Sequence, residues 1–140
     1  MPNIHVFDKT IQKSQLWIEE IEKNIENGSE NRAYLALRTV LHSLRNRLQI
    51  NEAIHLGAEL PMLIRGLYFE GWDPREKPSR DKDQRDFFKY FRSYFSEESD
   101  EEITKMIKAV FKVLDDKISQ GEIKDVRENL PSHIRKIWMH

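Results

Sequence analysis

The sequence predicts an all-α protein, and three observations support this prediction. Hydrophobic residues make up 39% and charged residues 34% of the 140-residue chain, and only five Gly and five Pro interrupt it, which is typical of a folded helical protein. Apolar residues recur every three or four positions, the period of an amphipathic helix. The chain also aligns with itself, without a gap, at an offset of 70 residues. We therefore expect a helical bundle built from two tandem four-helix repeats.

Length and composition set further limits. The length is close to the commonest domain size, so we expect residues 1–140 to form a single domain with internal repeat units at about 1–72 and 73–140. The chain has no cysteine, which excludes disulfides and thiolate metal sites. No stretch approaches the roughly 18 apolar residues of a membrane span, and the first residues lack the pattern of a signal peptide. The expected location is the cytoplasm, with no membrane as partner.

Four helices are predicted in the first unit. Asn27 and Gly28 are expected to end the first helix, and Ser29 is the expected N-cap of the second. Pro61 is expected to open the fourth, because proline suits the first turn of a helix. The predicted helices lie at about 8–27, 29–48, 50–60 and 61–69.

Four more helices are predicted in the second unit. A connector with three glycine or proline residues and alternating charges occupies residues 70–86. Ser99 with Glu102, and Ser119 with Glu122, have the spacing of a capping box, in which each side chain bonds to the other residue's backbone N–H. The predicted helices lie at about 81–95, 99–117, 119–130 and 131–140.

The repeat is clearest in the stretch from Val40 to Trp72 and its copy near the C-terminus. Apolar positions persist between the halves while most polar ones differ, as expected of two units packed by the same rules. The identical pairs include Val40/Val110, Leu44/Leu114, Glu52/Glu122, Leu60/Leu130, Pro61/Pro131, Ile64/Ile134 and Arg65/Arg135. The features without a counterpart are His42, His55, Gly66 and the segment 69–74.

Several stretches carry a resemblance to a known family. They are TVLHSLRNRL at 39–48, AIHLGAELPMLIRGLYFEGWDP at 53–74, ISQGEIKDVRENLP at 118–131 and IRKIW at 134–138. On these residues the chain resembles the bacterial family called domain of unknown function 2267, over nearly its whole length. The resemblance implies a small, soluble, all-α bacterial protein. It supplies no catalytic residue.

Glu52 and His55 are the candidates for a metal site. Their Glu-x-x-His spacing places both on one helical face, as in carboxylate-bridged di-iron bundles. Such sites need a second Glu-x-x-His, whereas the repeat offers Glu122 and Asp125 at the matching positions. Because the ligand set is incomplete, we expect no metal and no cofactor.

Arg65 and its counterpart Arg135 are expected to be structural. Each lies in a largely apolar helix, where a guanidinium group needs either a carboxylate or the carbonyls at a helix C-terminus. Glu52 and Glu122, which also recur between the halves, are the carboxylates that the repeat offers.

Aromatic side chains flank the connector on both sides. We expect them to form the seam between the two halves, and the alternative is a groove left open for an apolar ligand or a partner helix. The candidates for such a groove are Tyr68, Phe69, Trp72, Phe88, Phe91 and Phe95.

Two observations bear on partners and activity. The 23 basic and 24 acidic residues nearly cancel, so nucleic acid is not the expected partner. Arg38, Arg45, Arg47 and Arg65 are expected to form a solvated face, paired with acidic residues at 97–102 or in ion pairs along the helices. The alternative for these arginines is a local basic strip that binds phosphate groups. No nucleophile–base arrangement or phosphate-binding glycine loop is present in the sequence. We therefore expect a non-enzymatic protein that binds another protein or associates with itself. The alternative is a helical bundle that binds a small ligand or a metal.

Overall fold

The computed structural model describes residues 3–26, 28–81 and 83–139. In these residues it contains eight α-helices and no β-strand, which confirms the predicted all-α bundle. The helices are α1 (Asp8–Lys23), α2 (Glu30–Arg47), α3 (Ile50–Ala58), α4 (Met62–Phe69), α5 (Gln84–Arg92), α6 (Asp100–Lys117), α7 (Gln120–Glu128) and α8 (Ser132–Met139).

The helix bounds follow the sequence repeat. Helices α2 and α6 are both 18 residues long, α3 and α7 both nine, and α4 and α8 both eight. Each pair begins and ends at the same offset of 70 residues. Helix α1, with 16 residues, is longer than α5, with nine. Since α5 begins at the position equivalent to Ser14, residues 8–13 have no helical counterpart.

The first helix is shorter than predicted. It ends at Lys23, and the side-chain amide of Asn24 closes it by donating to a carbonyl of the last turn (2.8 Å). The predicted end at Asn27 lies outside the described residues. The second helix begins as predicted, because the Ser29 hydroxyl accepts a hydrogen bond from the Arg32 N–H (3.1 Å).

Helix α5 also corrects a prediction, since it covers residues 84–92 rather than 81–95. Its N-cap is Asp83, whose carboxylate accepts the Arg85 N–H (2.9 Å), so the helix cannot begin earlier. Residues 93 and 94 form a turn instead of a further helical turn.

The helices pack in a pattern that is preserved when the two halves are exchanged. Helix α1 contacts α2, α4 and α6, and α5 contacts their counterparts α6, α8 and α2. The pairs α2–α4 and α3–α4 correspond to α6–α8 and α7–α8 in the same way. Helix α2 packs on its own counterpart α6, and α3 packs on α7. Exchanging the two halves maps these packed pairs onto one another, which is the pattern that a two-fold relation between the halves would give.

Equivalent apolar positions are buried in both halves and belong to one hydrophobic cluster. Burial on both sides explains why these positions stay apolar while polar ones drift. The pairs in which neither residue is more than 8% exposed include Trp17/Phe87, Ile21/Phe91, Ile25/Phe95, Leu37/Ile107, Leu41/Phe111, Leu56/Val126 and Tyr68/Trp138.

The connector is fixed to the bundle at Asp81. Its carboxylate accepts two hydrogen bonds from Arg47 of α2 (2.6 and 2.9 Å), and His133 Nε2 lies 3.3 Å away. The Asp81 and Arg47 side chains are only 5% and 7% exposed. Burial favours a raised pKa for Asp81, but the hydrogen bonds and charge of Arg47, together with His133, outweigh it and hold the pKa below its ordinary value.

Asp81→Asn should therefore destabilise the protein by about 3 kcal/mol, because buried Arg47 loses its counter-charge. Urea unfolding at neutral pH measures the change. Asp73→Asn is the matched control, since the Asp73–Arg75 pair lies in the same connector but is exposed, and this variant should unfold like the wild type. Equal losses in the two variants would contradict the role assigned to Asp81.

Gly57 allows α3 to lie close to α4. A Cβ atom at this position would lie 2.4 Å from Phe69 Cζ and 3.0 Å from Tyr68 Cε2, well inside van der Waals distance. Tyr68 is fully buried, and its hydroxyl donates to the Ala53 carbonyl (2.7 Å). The close approach of the two helices therefore favours glycine.

Gly57→Ala should lower the free energy of unfolding by about 1 kcal/mol, because overpacking outweighs the better helix propensity of alanine. Gly66→Ala in α4 is the control. No atom lies within 4 Å of a Cβ at Gly66, so helix propensity alone should raise stability by about 0.5–1 kcal/mol. Urea unfolding of both variants should give opposite signs, and a gain for both would show that the Phe69 ring moves aside without loss.

Candidate functional site

Three ligand-type side chains meet where α3 packs on α7. One carboxylate oxygen of Glu52, one of Glu122 and one ring nitrogen of His55 all lie within 4.8 Å of one another. Glu52 and His55 share a face of α3, as their spacing predicts, and Glu122 reaches them from α7. We call this group the α3–α7 cluster.

The sequence prediction named Glu122 as the counterpart of Glu52 in an incomplete metal site, but did not place it beside Glu52 and His55. The signal was present in the repeat, because a two-fold relation between halves brings equivalent residues near its axis face to face. Glu52 and Glu122 are such an equivalent pair. The structure therefore shows a set of possible metal ligands that differs from the di-iron pattern. It consists of one imidazole nitrogen and one carboxylate from the first half and one carboxylate from the second.

Glu52 and Glu122 place like charges close together. Oxygen Oε1 of each carboxyl group is buried and has no hydrogen-bond partner outside the pair. Burial, then hydrogen bonding and charge from Glu52, and finally the charges of Glu59 and Asp125 raise the pKa of Glu122 to about 8. The carboxyl group of Glu122 is therefore mostly protonated at neutral pH.

Glu59 explains why the carboxyl group of Glu122 is free for this contact. The backbone N–H and the hydroxyl of Ser119 both donate to Glu59 (2.9 Å each), while the Ser119 hydroxyl accepts the Glu122 N–H (3.4 Å). The predicted Ser119–Glu122 capping box is thus only half formed. Because Glu59, which follows α3, binds the N-cap residue of α7, the two halves are joined at this point.

Arg65 and Arg135 bind backbone carbonyls. Arg65 donates to three carbonyls at the C-terminal end of α3, at 2.9–3.2 Å, and Arg135 donates to the Leu130 carbonyl (2.9 Å). Of the two kinds of partner that the sequence left open, these hydrogen bonds use the carbonyls. A helix end leaves such carbonyls without intrahelical partners, which makes them acceptors for a guanidinium group.

The aromatic residues proposed as a groove are packed into the core. Phe69 and Trp72 are partly buried against it, with ring centroids 5.6 Å apart. Helix α5 packs on α2, α6 and α8 and buries Phe87, Phe88 and Phe91. The groove candidates that are at most 7% exposed are Tyr68, Phe88, Phe91 and Phe95.

The predicted solvated face of arginines is corrected by the structure. Arg45 is buried and donates to the carbonyls of Tyr68 (2.7 Å) and Glu70 (2.5 Å). Arg47 is paired with Asp81 in the connector, rather than with the acidic residues at 97–102. These guanidinium groups satisfy backbone and connector acceptors, so they form no exposed strip for phosphate.

His42, which has no counterpart in the second half, is also structural. It is 3% exposed, and its Nε2–H donates to the Leu67 carbonyl (2.7 Å). Burial lowers the pKa of His42 despite the opposing effect of this hydrogen bond. The neutral ring therefore fixes α4 to α2.

An apolar surface is exposed where α1 meets α4. Met62 and Leu63 of α4 are 58% and 50% exposed, and the Leu63 N–H donates to the Thr10 hydroxyl of α1 (3.4 Å). We call this region the α1–α4 surface. Its exposed apolar residues are Val6, Ile11, Leu16, Met62 and Leu63.

Two open clefts flank Met62 and Leu63. One, of about 610 Å³, has Met62 in its lining, and the other, of about 400 Å³, has Leu63. The charged lining residues of the first are Lys9, Lys13, Arg65, Lys117 and Glu59. Those of the second are Glu19, Glu22 and Glu30. A mainly basic cleft lined by Met62 and an acidic cleft lined by Leu63 thus adjoin one apolar ridge.

The fold and these sites define an all-α protein whose two similar halves meet across a pair of carboxyl groups. A model of an uncharacterised conserved protein family, DUF2267, matches residues 14–137. The chain therefore belongs to the DUF2267 family, and the resemblance seen in the sequence is confirmed. A comparison with curated proteins found no match. None of the described helices has the length and apolar character needed to cross a membrane.

The raised pKa of Glu122 predicts a pH-dependent stability. The pKa of its carboxyl group rises from 4.5 to about 8 on folding, so the folded state binds more protons than the unfolded state in this range. The free energy of unfolding should therefore fall as the pH rises through it. Glu122→Gln removes the titrating group, and its melting temperature should fall less between about pH 5 and pH 8 than that of the wild type.

Thermal unfolding followed by circular dichroism measures both profiles. Glu128→Gln is the control, since Glu128 is exposed on the same helix, and this variant should keep the wild-type pH dependence. Identical profiles for the wild type and Glu122→Gln would rule out the raised pKa of Glu122.

Proposed function

We propose that this protein is a non-enzymatic helical protein that associates with a second copy of itself through the α1–α4 surface. The observation that carries the proposal is the exposure of five apolar side chains on one side of the first unit. Contiguous apolar patches on a soluble protein commonly mark an interaction site. A bacterial cytoplasm belongs to the same proposal, and a chain without cysteine suits that reducing compartment.

The second unit lacks this surface, which indicates that it is not a by-product of the repeat. At the offset of 70 residues, every exposed apolar residue of the α1–α4 surface has a polar counterpart. The helical segment that carries Ile11 is also missing from α5. The polar counterparts of Val6, Ile11, Leu16, Met62 and Leu63 are Glu76, Asp81, Asp86, Ser132 and His133.

The distribution of charge favours a second copy as the partner. The mainly basic cleft adjoins Met62 and the acidic cleft adjoins Leu63, the two residues that form the ridge. In a two-fold dimer each copy presents the same surface to the other. The ridges then face each other, and the basic cleft of one copy meets the acidic cleft of its partner. The surface is therefore complementary to itself.

Sedimentation velocity over a wide range of protein concentration tests the proposal. The wild type should show a reversible monomer–dimer equilibrium. Met62→Glu should weaken the dimer at least about tenfold, because it buries a charge at the centre of the interface. Met139→Glu is the matched control, since Met139 is 63% exposed on α8 of the other unit and should leave the equilibrium unchanged.

Two results would overturn the proposal. One is a wild-type protein that stays monomeric at every concentration, and the other is equal weakening by Met62→Glu and Met139→Glu. Added salt should also weaken the wild-type dimer, because it screens the contacts between charged clefts. A dimer that is insensitive to salt would contradict the assigned pairing of clefts.

A further inference from the structure

We propose that Glu52, His55 and Glu122 bind one first-row divalent cation, such as Zn²⁺, between α3 and α7. This inference goes beyond self-association and does not depend on it, because the α3–α7 cluster is separate from the apolar side chains of the α1–α4 surface. It replaces the expectation from sequence that the protein holds no metal.

The donor set selects the class of cation. One imidazole nitrogen and two carboxylate oxygens suit Zn²⁺ and its first-row neighbours, whereas Ca²⁺ and Mg²⁺ favour sets made only of oxygen. Three protein ligands leave a fourth position for water, which is common in accessible zinc sites. His55 is exposed at the edge of the cluster, so a cation can enter from solvent.

The two carboxyl groups supply the reason for a cation here. Oε1 of Glu52 and Oε1 of Glu122 are buried without a hydrogen-bond donor from outside the pair, and a buried acceptor without a partner is unfavourable. A divalent cation bound between the two carboxyl groups satisfies such acceptors. Its binding releases the proton of Glu122, and the charge of the cation then balances the two carboxylates.

The geometry requires only a small adjustment. Tetrahedral coordination with bonds of about 2.0–2.1 Å places ligand atoms about 3.3 Å apart, and the three atoms of the cluster now lie within 4.8 Å. Closing this gap moves an atom by no more than about 1.5 Å, which side-chain rotation of exposed His55 and half-buried Glu52 and Glu122 provides. Such an ion would join α3 of the first unit to α7 of the second.

Isothermal titration of the untagged full chain with ZnCl₂ tests the proposal. The wild type should bind one ion, and His55→Ala and Glu122→Gln should each weaken binding at least about tenfold. Thermal unfolding gives a second readout, since zinc should raise the melting temperature of the wild type more than that of either variant. Neither Mg²⁺ nor Ca²⁺ in excess should displace the zinc.

His5→Ala is the matched control, because His5 is an exposed histidine beside Asp8 (2.9 Å) in another part of the chain, and it should bind zinc like the wild type. Circular dichroism should show that all variants are folded. The proposal is overturned if the wild type binds no zinc, or if His55→Ala binds as tightly as His5→Ala. If His55→Ala loses zinc binding but Glu122→Gln does not, the proposal that the ion joins α3 to α7 is overturned.

Discussion

The packing of α2 on α6 and of α3 on α7 is the constraint on which the rest of this structure depends. It joins the two halves through helices that occupy equivalent positions in the chain. Apolar residues of both halves are stabilised by it, because they are buried in one shared core. Charged positions gain no such stability, since the same packing sets Glu52 near Glu122 and raises the pKa of Glu122. The repeat therefore produces both the stability of the bundle and its least satisfied polar contact.

The polar contacts that hold the connector and join the two halves are not repeated, whereas the apolar core positions are. Asp81 fixes the connector to α2 through a buried ion pair, and Glu59 caps α7 from the end of α3. Neither residue has an identical counterpart at the offset of 70. The core thus determines how the halves pack, and residues particular to one half hold the chain in place around it. The exposed α1–α4 surface is a further difference of this kind.

Much of the fold was predictable because it rests on local patterns. Helical periodicity, the Ser29 cap and the proline breaks act over a few residues, and the repeat supplied the second half from the first. The cluster was not predictable in the same way, because Glu52 and Glu122 are 70 positions apart and meet only through packing. The partner of Arg65 was also undecided, since both carboxylates and carbonyls satisfy a guanidinium group. The Arg47–Asp81 pair likewise joins residues that no local pattern connects.

The single histidine of the cluster has a consequence for how such a protein diverges. Two identical chains that meet at a two-fold axis carry the same residue on both sides, so a substitution in the gene changes both sides. When two units are joined in one chain, each can be substituted separately, and His55 here has Asp125 as its counterpart. A covalently linked pair can therefore keep a matching carboxyl on each side and still acquire a lone imidazole. A symmetric assembly of half-length chains would instead carry an imidazole on both sides of the carboxyl pair.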